Sequence, residues 1–311
     1  MNKKLLAVVI SGTVLGIFGY VFLSVDSTNL EIIEEHSLPD VADKTISMGT
    51  ISSKPSKIID RTQSIADYLA SKLSDEKTQY AGRVIVTKTI TDMENVLIDQ
   101  RLDLYFDSPV ISCLVSEKTN AVPFLIRWKE GVEKYHSVFF VKKDSIINGI
   151  DEQLIGKIIA FQAPESTSGY LIPKVHLAEK GIPISKNVGS ESLQFIFSFS
   201  DMTTAYWVSL GKADIGVTSN MDFGDLNDSL KNKLKIIERT FDLPRQLVLH
   251  RSNMDSDEVE KIRQILLQMD QNPQGMELLE NFKDTKKFTD LPEKEDFCHN
   301  LFERIKRTTG G

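Results

Sequence analysis

Hydrophobic and polar positions form short blocks along most of this chain, and the period of the pattern changes from block to block. Ile46–Ile51 and Arg83–Thr89 alternate with a period of two, which predicts half-buried β-strands. Between them, apolar residues recur at helical spacing from Ile58 to Leu73. Strands that alternate with helices in this way predict parallel sheets joined by right-handed crossovers.

The same alternation continues to about residue 282. Further strands are predicted at 102–106, 137–141, 157–161, 193–199, 213–217, 234–238 and 246–250. Further helices are predicted at 92–100, after Ser166, at 202–210, at 259–269 and at 275–282. Stretches 101–108 and 212–220 each end in a short strand and small polar residues, which favours two similar α/β lobes. From Lys283 on, the chain is highly charged, and we make no prediction there.

The N-terminus has the pattern of an export segment. Lys3 and Lys4 precede an apolar run of 19 residues, from Leu5 to Leu23, which is long enough to span a bilayer. We interpret residues 1–25 as a signal peptide or membrane anchor and favour an uncleaved anchor. Residues 26–44 are polar and are predicted to be a tether.

Composition narrows the class of protein. A chain of 311 residues with 41% hydrophobic and 26% charged residues is typical of a soluble protein of about two domains. The formal net charge of −7 argues against nucleic-acid binding. It also means that an anion site would need strong local donors. Cys113 and Cys298 provide no metal spacing; we interpret them as buried apolar residues and leave a disulfide between them open.

Three small hydroxyl residues lie where a predicted strand ends and a helix begins. Ser166, Thr167 and Ser168 follow the strand at 157–161 and precede Gly169. The first amides of a helix have no partner within it, and the helix dipole is positive at that end. This turn could therefore bind an oxyanion. The alternative is an ordinary N-cap, for which Ser and Thr are the usual residues.

Other small polar groups also end predicted strands. Ligands of open α/β sheets bind beyond the carboxyl ends of the strands. That rule selects residues 50–53, Asp107 with Ser108, and residues 219–222. Each of these positions is equally consistent with a plain turn.

The amino-acid sequences of three stretches carry a family resemblance. Val122–Lys129, Tyr135–Val141 and Pro164–Pro173 closely resemble the phosphonate-binding proteins of bacterial ABC importers, which also bind phosphite and phosphate-like anions. The resemblance implies a two-lobed α/β fold of the type 2 periplasmic binding proteins, with two parallel or mixed sheets joined by a two-stranded hinge. We expect one lobe from 45–135 and 246–311 and the other from 136–245.

The resemblance also assigns roles to residues at the first crossing between the lobes. Tyr135, His136 and Ser137 match the segment that gives the family an aromatic wall and a hydroxyl. From the residues alone, a core or hinge histidine is the preferred interpretation of His136. The complete set of predicted ligand-binding residues is Ser166, Thr167, Ser168, Tyr135, His136, Ser137, Asp107, Ser108, Asn220 and Arg245.

Two positions depart from the family pattern. Arg245 occupies the place where family members that bind aminoalkyl phosphonates carry an acidic residue, and Ile90–Thr91 replaces an aromatic residue. A guanidinium can bind an oxyanion through two hydrogen bonds. Both changes favour a small, fully ionised oxyanion. The alternative for Arg245 is an ion pair at the surface or between the lobes.

No catalytic motif, metal spacing or cofactor motif occurs in the sequence. We therefore expect no enzyme activity, no cofactor and no metal. The leading hypothesis is a monomeric, extracytoplasmic binding protein that captures phosphate, phosphite or a phosphonate for an ABC importer permease. One alternative is a membrane-tethered module that senses the anion for a signalling partner. Another is a phosphoester hydrolase that uses the serine-rich turn.

Overall fold

The structure is a computed structural model that describes residues 33–34, 42–186, 191–292 and 296–309. The apolar segment 5–23 and most of the predicted tether lie outside these residues. Within the described part of the chain, no helix is long and apolar enough to cross a membrane.

The elements alternate as the pattern predicts. In chain order, the strands are β1 (Ile33–Glu34), β2 (Lys44–Ile51), β3 (Tyr80–Thr87), β4 (Leu104–Asp107), β5 (Val122–Arg127), β6 (Lys134–Tyr135), β7 (Ser137–Lys142), β8 (Ile158–Phe161), β9 (Ile184–Ser185), β10 (Leu193–Phe197), β11 (Ile215–Ser219), β12 (Leu234–Arg239), β13 (Leu243–Pro244), β14 (Leu247–His250) and β15 (Phe288–Asp290). The helices are α1 (Pro55–Leu73), α2 (Ile90–Ile98), α3 (Pro109–Thr119), α4 (Ile172–Glu179), α5 (Asp201–Ser209), α6 (Asn220–Gly224), α7 (Asp228–Lys231), α8 (Ser256–Leu267), α9 (Pro273–Asn281) and α10 (Phe297–Thr309).

The first lobe is built on a seven-stranded sheet with strand order β1-β3-β2-β4-β14-β5-β15. Strand β2 is parallel to β3 and β4, whereas β14 runs antiparallel to β4 and β5. Helix α1 packs Ile65 and Leu69 onto this sheet, and both side chains are fully buried. This burial explains why the helical spacing predicted α1 correctly.

The second lobe is built on a six-stranded sheet with strand order β12-β7-β11-β8-β10-β9. Its central strands β7, β8 and β11 are buried along nearly their whole length, because helices cover both faces of the sheet. Phe139 and Phe161 pack on one face, and Phe140 packs with Ala205 of α5 on the other. The mixed α/β architecture with two sheets matches the predicted fold class.

A two-stranded antiparallel sheet of β6 and β13 joins the lobes, with Tyr135 opposite Leu243. These strands are short, and each leads from one large sheet into the other. A pair of crossing strands is the expected position of a hinge. The segment around Tyr135 is therefore fixed by backbone pairing next to both lobes.

The C-terminal helix α10 lies against both lobes. Cys298 of α10 forms a disulfide with Cys113 of α3, which settles the pairing that the sequence left open. On its other side, Arg304 of α10 pairs with Glu179 of α4, with Nε 2.5 Å from Oε1. The buried apolar cluster around Cys113 also includes Ile172 of α4, so apolar contacts extend from one lobe to the other.

Candidate functional site

The serine-rich turn begins a helix, as its position in the sequence predicts. Residues Thr167–Leu171 form a wide π turn that leads into α4. Ser166 is the N-cap, and its Oγ accepts a hydrogen bond of 2.9 Å from the amide of Gly169. Gly169 lies so close to Gln162 that an added Cβ would come within 2.5 Å of the Gln162 Cβ. The capping interpretation is therefore correct for the hydroxyl of Ser166.

The hydroxyl of Thr167 faces the other lobe. Thr167 is 5% exposed, and its Oγ1 donates to Oγ of Ser108, the N-cap of α3, over 3.2 Å. The side chain of Thr167 also lies beside the phenol of Tyr135 and acts to lower its pKa, against the larger effect of burial. Three separate segments that the sequence selected are thus in contact: the serine-rich turn, the end of β4 and the first crossing strand.

Asp107 is a buried carboxylate that holds the first-lobe side of this contact in place. Its Oδ1 accepts from the amide of Ser108 at 2.6 Å, and its Oδ2 accepts from the Tyr105 hydroxyl at 3.1 Å and from Thr50 Oγ1 at 3.4 Å. Burial raises the pKa of Asp107, and the Ser108 amide opposes that shift. With its oxygens already occupied by donors, Asp107 orients Ser108 and Thr50.

Tyr135 provides a neutral hydroxyl at the hinge. Its side chain is 4% exposed, and burial raises the pKa of the phenol well above its ordinary value. The phenol therefore remains protonated at physiological pH. It keeps the proton that a hydrogen bond to an oxyanion requires.

His136, Ser137 and Asn220 hold the crossing strand to the second lobe. The amide of His136 donates to Asn220 Oδ1 over 3.0 Å, and His136 Nδ1 lies 2.9 Å from Asp242 Oδ1. The amide of Ser137 donates to Thr240 Oγ1 over 3.0 Å. Ser137 Oγ is buried and has no hydrogen-bond partner in the described residues. The histidine thus has the contacts of a hinge residue, and a ligand contact of the buried Ser137 hydroxyl stays a prediction.

Arg245 forms the ion pair that was the alternative interpretation, and its contact with a ligand stays a prediction. Its guanidinium forms an ion pair with Glu130, as the alternative interpretation expected. The same guanidinium lies 5.1 Å from the centre of the Tyr135 ring, and its Nε is buried without a hydrogen-bond partner in the described part of the chain. Arg245 therefore lies beside the hinge tyrosine, and its Nε–H group is a hydrogen-bond donor that no described residue uses.

A cavity of about 530 Å³ opens beside this contact between the lobes. It is lined by Ile51, Lys88, Thr89, Ile90, Asp107, Ser108, Ile111 and Glu165. Ile90 lies here, so the residue that replaces the family's aromatic side chain does border the cleft. Glu165 and Lys88 are charged lining residues that the sequence reasoning missed, since a single charge next to a turn carries no pattern of its own.

The described residues contain no group of three or more His, Cys, Asp or Glu side chains that could hold a metal ion. The contact among Thr167, Ser108 and Tyr135 offers hydroxyls, backbone amides and one phenol. The adjoining cavity adds the charged side chains of Lys88, Asp107 and Glu165. Hydroxyl and amide donors bind the oxygen atoms of a compact anion and discriminate by geometry more than by charge. This arrangement suits capture of an oxyanion.

A protein-family model described as the periplasmic substrate-binding protein of ABC phosphonate transporters matches residues 48–296. The match covers the two large sheets except β1 and the start of β2, and it includes both crossing strands and every residue of the predicted site.

Solved structures show the same fold. A protein from Xanthomonas citri, determined with chloride and with ATP, matches with a TM-score of 0.75 over 85% of this chain and 98% of its own, at 25% and 26% identity. PhnD1 from Prochlorococcus marinus, in complex with methylphosphonate, matches with a TM-score of 0.61 at 18% identity over 85% of this chain and 97% of its own. A binding protein of an ABC phosphonate transporter from Pseudomonas aeruginosa gives 0.60 at 16% identity, over 85% and 87%.

Proposed function

This chain belongs to the periplasmic substrate-binding proteins of ABC phosphonate transporters, and on that premise we propose that it captures phosphate, phosphite or a phosphonate by closure of its two lobes. The family consists of transport proteins that act outside the cytoplasm with a membrane permease, and its members are not enzymes. The two lobes of the proposal are 45–135 with 246–311, and 136–245.

The observation that carries the proposal is the contact between Thr167 of the serine-rich turn and Ser108 of the first lobe. Both hydroxyls lie at helix N-termini, where unpaired amides and the helix dipole favour negative charge. An anion between them would hydrogen-bond both lobes at once. Binding and closure would then be the same event, because the ligand has more partners in the closed form than in the open one.

The nature of the anion follows from the donors. Hydroxyls and amides at Ser108, Thr167 and Ser168 can bind a tetrahedral oxyanion without a cation, whereas Arg245 provides a guanidinium near the hinge. A small ionised phosphorus oxyanion matches this set. Glu165 provides an acidic group on the cleft wall, so an aminoalkyl phosphonate is the matched competitor in the test.

A thermal-shift screen tests the proposal with phosphate, phosphite, methylphosphonate, aminoethylphosphonate, ATP and sulfate. A ligand at 100 times its dissociation constant stabilises the folded protein by about 2.7 kcal/mol, which is a shift of several degrees. We expect a shift with at least one phosphorus oxyanion and a smaller shift with sulfate. The same shift for every anion, or none with any phosphorus compound, would contradict the proposal.

The fate of the captured anion is tested separately. Delivery to an importer requires that closure be recognised by a permease, so the anion-bound protein should stimulate the ATPase activity of that permease in reconstituted vesicles. Activation of a signalling partner under the same conditions would favour the sensing alternative. Release of phosphate from a phosphoester would favour the hydrolase.

A further inference from the structure

A second cavity, of about 190 Å³, lies in the first lobe on the α1 side of the sheet. We call it the basic cavity; its lining residues are Thr50, Ile51, Ile58, Arg61, Thr62, Phe106, Asp107, Arg127, Lys129, Gln246, Phe282 and Lys283. It shares Ile51 and Asp107 with the cavity beside the contact between the lobes, and no residue of the serine-rich turn lines it. A cavity of this volume is large enough for an ion and not merely for one water molecule.

The lining of the basic cavity is strongly positive in a protein of net negative charge. Four lining residues are cationic, namely Arg61, Arg127, Lys129 and Lys283, and one lining residue, Asp107, is acidic. Clefts lined by one sign of charge concentrate counter-ions of the opposite sign.

Arg127 is the most deeply buried of these four cationic residues. It is 3% exposed, and its guanidinium donates only to neutral acceptors: Thr285 Oγ1 at 2.9 Å, Gln246 Oε1 at 2.8 Å and the Phe282 carbonyl at 2.5 Å. Its guanidinium carbon lies 3.4 Å from the centre of the Phe282 ring. Arg127 forms no ion pair with any residue that the structure describes. Buried charges are usually paired, but no described carboxylate contacts this guanidinium, and only the more distant Glu130 opposes its charge.

Lys129 adds a second charge that no described carboxylate contacts directly, although Glu130 and Asp107 lie near enough to attract it. Its ammonium has no hydrogen bond or ion pair with any described residue. Burial, followed by the positive charge of Arg245, lowers the pKa of Lys129 to about 8. The fold thus holds an ammonium beside other cations, which is unfavourable until an anion joins them.

Thr62 supplies a neutral donor on the opposite wall. It is 1% exposed, its Oγ1 has no hydrogen-bond partner in the described residues, and it lines the basic cavity. A buried hydroxyl without a partner costs stability unless a ligand or water satisfies it. The hydroxyl is independent of the charge pattern, and it lines the same space.

An internal ion network is the alternative explanation of the charges. Glu130 accounts for part of them, because it pairs with Arg245 and lies 3.3 Å from Lys283. It also attracts Arg127 and Lys129 without contacting either one, whereas the exposed Arg61 has no carboxylate partner among the described residues. A closed network would balance its charges, and this one has an excess of cations.

We propose that the basic cavity is a second oxyanion site, which binds a phosphate or carboxylate group separately from the anion at the serine-rich turn. Arg127 and Lys129 bind the oxygen atoms, and the Thr62 hydroxyl fixes their orientation. The group is either a free ion or the far end of a longer ligand whose phosphorus group lies at the serine-rich turn. This inference goes beyond the proposed function, which needs only the cleft.

The test measures binding to the intact folded protein by calorimetry at pH 7, with inorganic phosphate, methylphosphonate and a series of carboxyalkyl phosphonates. The variants are Lys129→Met and Thr62→Val in the basic cavity and Ser168→Ala in the cleft. Lys261→Met is the matched control, because Lys261 is an exposed lysine of the same lobe. We expect Lys129→Met to weaken the cavity site by about tenfold or more, as loss of a hydrogen bond to a charged group does. Lys261→Met should have no effect.

The ligand series separates the two sources of the group. For a free ion, wild type binds two phosphates, Lys129→Met removes one and Ser168→Ala weakens the other. For a longer ligand, Lys129→Met weakens one carboxyalkyl phosphonate and leaves methylphosphonate unchanged. Unaltered binding of every probe by Lys129→Met and Thr62→Val would overturn the second site. Unaltered binding by Ser168→Ala would instead contradict the function of the cleft, so the two failures are distinct.

Discussion

The three hydroxyls of the serine-rich turn have different partners, so their side chains serve different purposes. Ser166 is bonded to the amide of Gly169 and stabilises the turn, whereas Thr167 reaches across to Ser108. Ser168 is half-buried and has no hydrogen bond to another described side chain. The sequence offered capping and ligand binding as alternatives for the whole run, and we predict that adjacent residues divide these two roles.

We predict that Ser166→Ala lowers the free energy of unfolding by about 1 kcal/mol, the usual cost of a lost N-cap. Ser168→Ala should instead weaken anion affinity by about 1.5–3 kcal/mol, because a hydrogen bond to a charged group is lost. Denaturant midpoints and calorimetric affinities on both variants check this division. Loss of stability with intact anion binding in both variants would assign the turn to structure alone.

We predict a pH dependence of stability that comes from Lys129. Its pKa falls from an ordinary 10.5 to about 8 in the folded protein, so the unfolded chain binds more protons between those values. The free energy of unfolding should therefore rise with pH across this window, by on the order of 2 kcal/mol. Below about pH 8 the destabilisation is fully present.

Urea unfolding of wild type and Lys129→Met at pH 7.5 and 9.5, in buffer free of phosphate, measures this contribution. The variant should be the more stable protein at pH 7.5, and the difference should shrink at pH 9.5. A difference that does not change with pH would mean that the fold does not penalise the ammonium.

At the scale of elements, helix α10 connects the two lobes. Its disulfide attaches it to α3 of the first lobe, and Arg304 reaches Glu179 of α4 in the second. Arg304 also lies over the ring of Phe241, next to the second crossing strand, at 3.6 Å. Helix α10 therefore adds a contact between the lobes that should favour the arrangement in which they meet.

We predict that Arg304→Gln weakens anion affinity by at most about fivefold, because partly exposed ion pairs contribute about 0.2–1 kcal/mol. The substitution removes a contact that only the closed arrangement has. It therefore destabilises the closed form relative to the open one, and the closed form is the one that binds the anion. Calorimetry with the tightest anion from the screen measures the effect.

Arg263→Gln is the matched control for that measurement. Arg263 pairs with Asp290 inside the first lobe, with Nε 2.6 Å from Oδ1, so its loss should leave anion affinity unchanged. Equal losses in both variants would indicate a general effect on stability and count against a contribution of α10 to closure.

Most elements were predictable from periodicity, and those that were missed have identifiable reasons. A buried face with a period of 3.6 residues predicted helix α1, and buried faces with a period of 2 residues predicted strands β2 and β3. All three predictions agree with the structure to within a few residues at each end. Helix α3 was missed because buried residues such as Ser112 and Cys113 leave little apolar contrast between its faces. Helix α10 was missed although Cys298, Leu301 and Ile305 share one face, because the surrounding charge concealed that stripe.

The candidate site was predictable only in part, for a related reason. The ends of predicted strands and the family resemblance identified Ser108, Thr167 and Tyr135 as site residues, and the structure brings them into contact. Arg127 and Lys129 gave no separate signal, because they assemble into the basic cavity only with the distant segments that carry Thr62 and Lys283. A cavity formed by tertiary packing has no spacing in the sequence.

For the molecule as a whole, we predict that a chain without residues 1–30 is soluble and monomeric. The extended apolar run of the sequence ends at Leu23, and β1 at Ile33–Glu34 should be kept because it pairs with β3. Light scattering after size-exclusion chromatography measures the mass, with the full chain in detergent as the control. Binding of the shortened chain to lipid vesicles would contradict the tether.

The disulfide also gives the molecule a covalent ring. Cys113 and Cys298 are 185 positions apart, and the peptide between them includes β6, β13 and every strand of the six-stranded sheet. A protease that cuts once inside this ring, for instance beside Ile146, which is 88% exposed, produces no separate fragments. The nicked molecule would migrate as one species until a reductant is added, and both halves would stay together long enough to bind again.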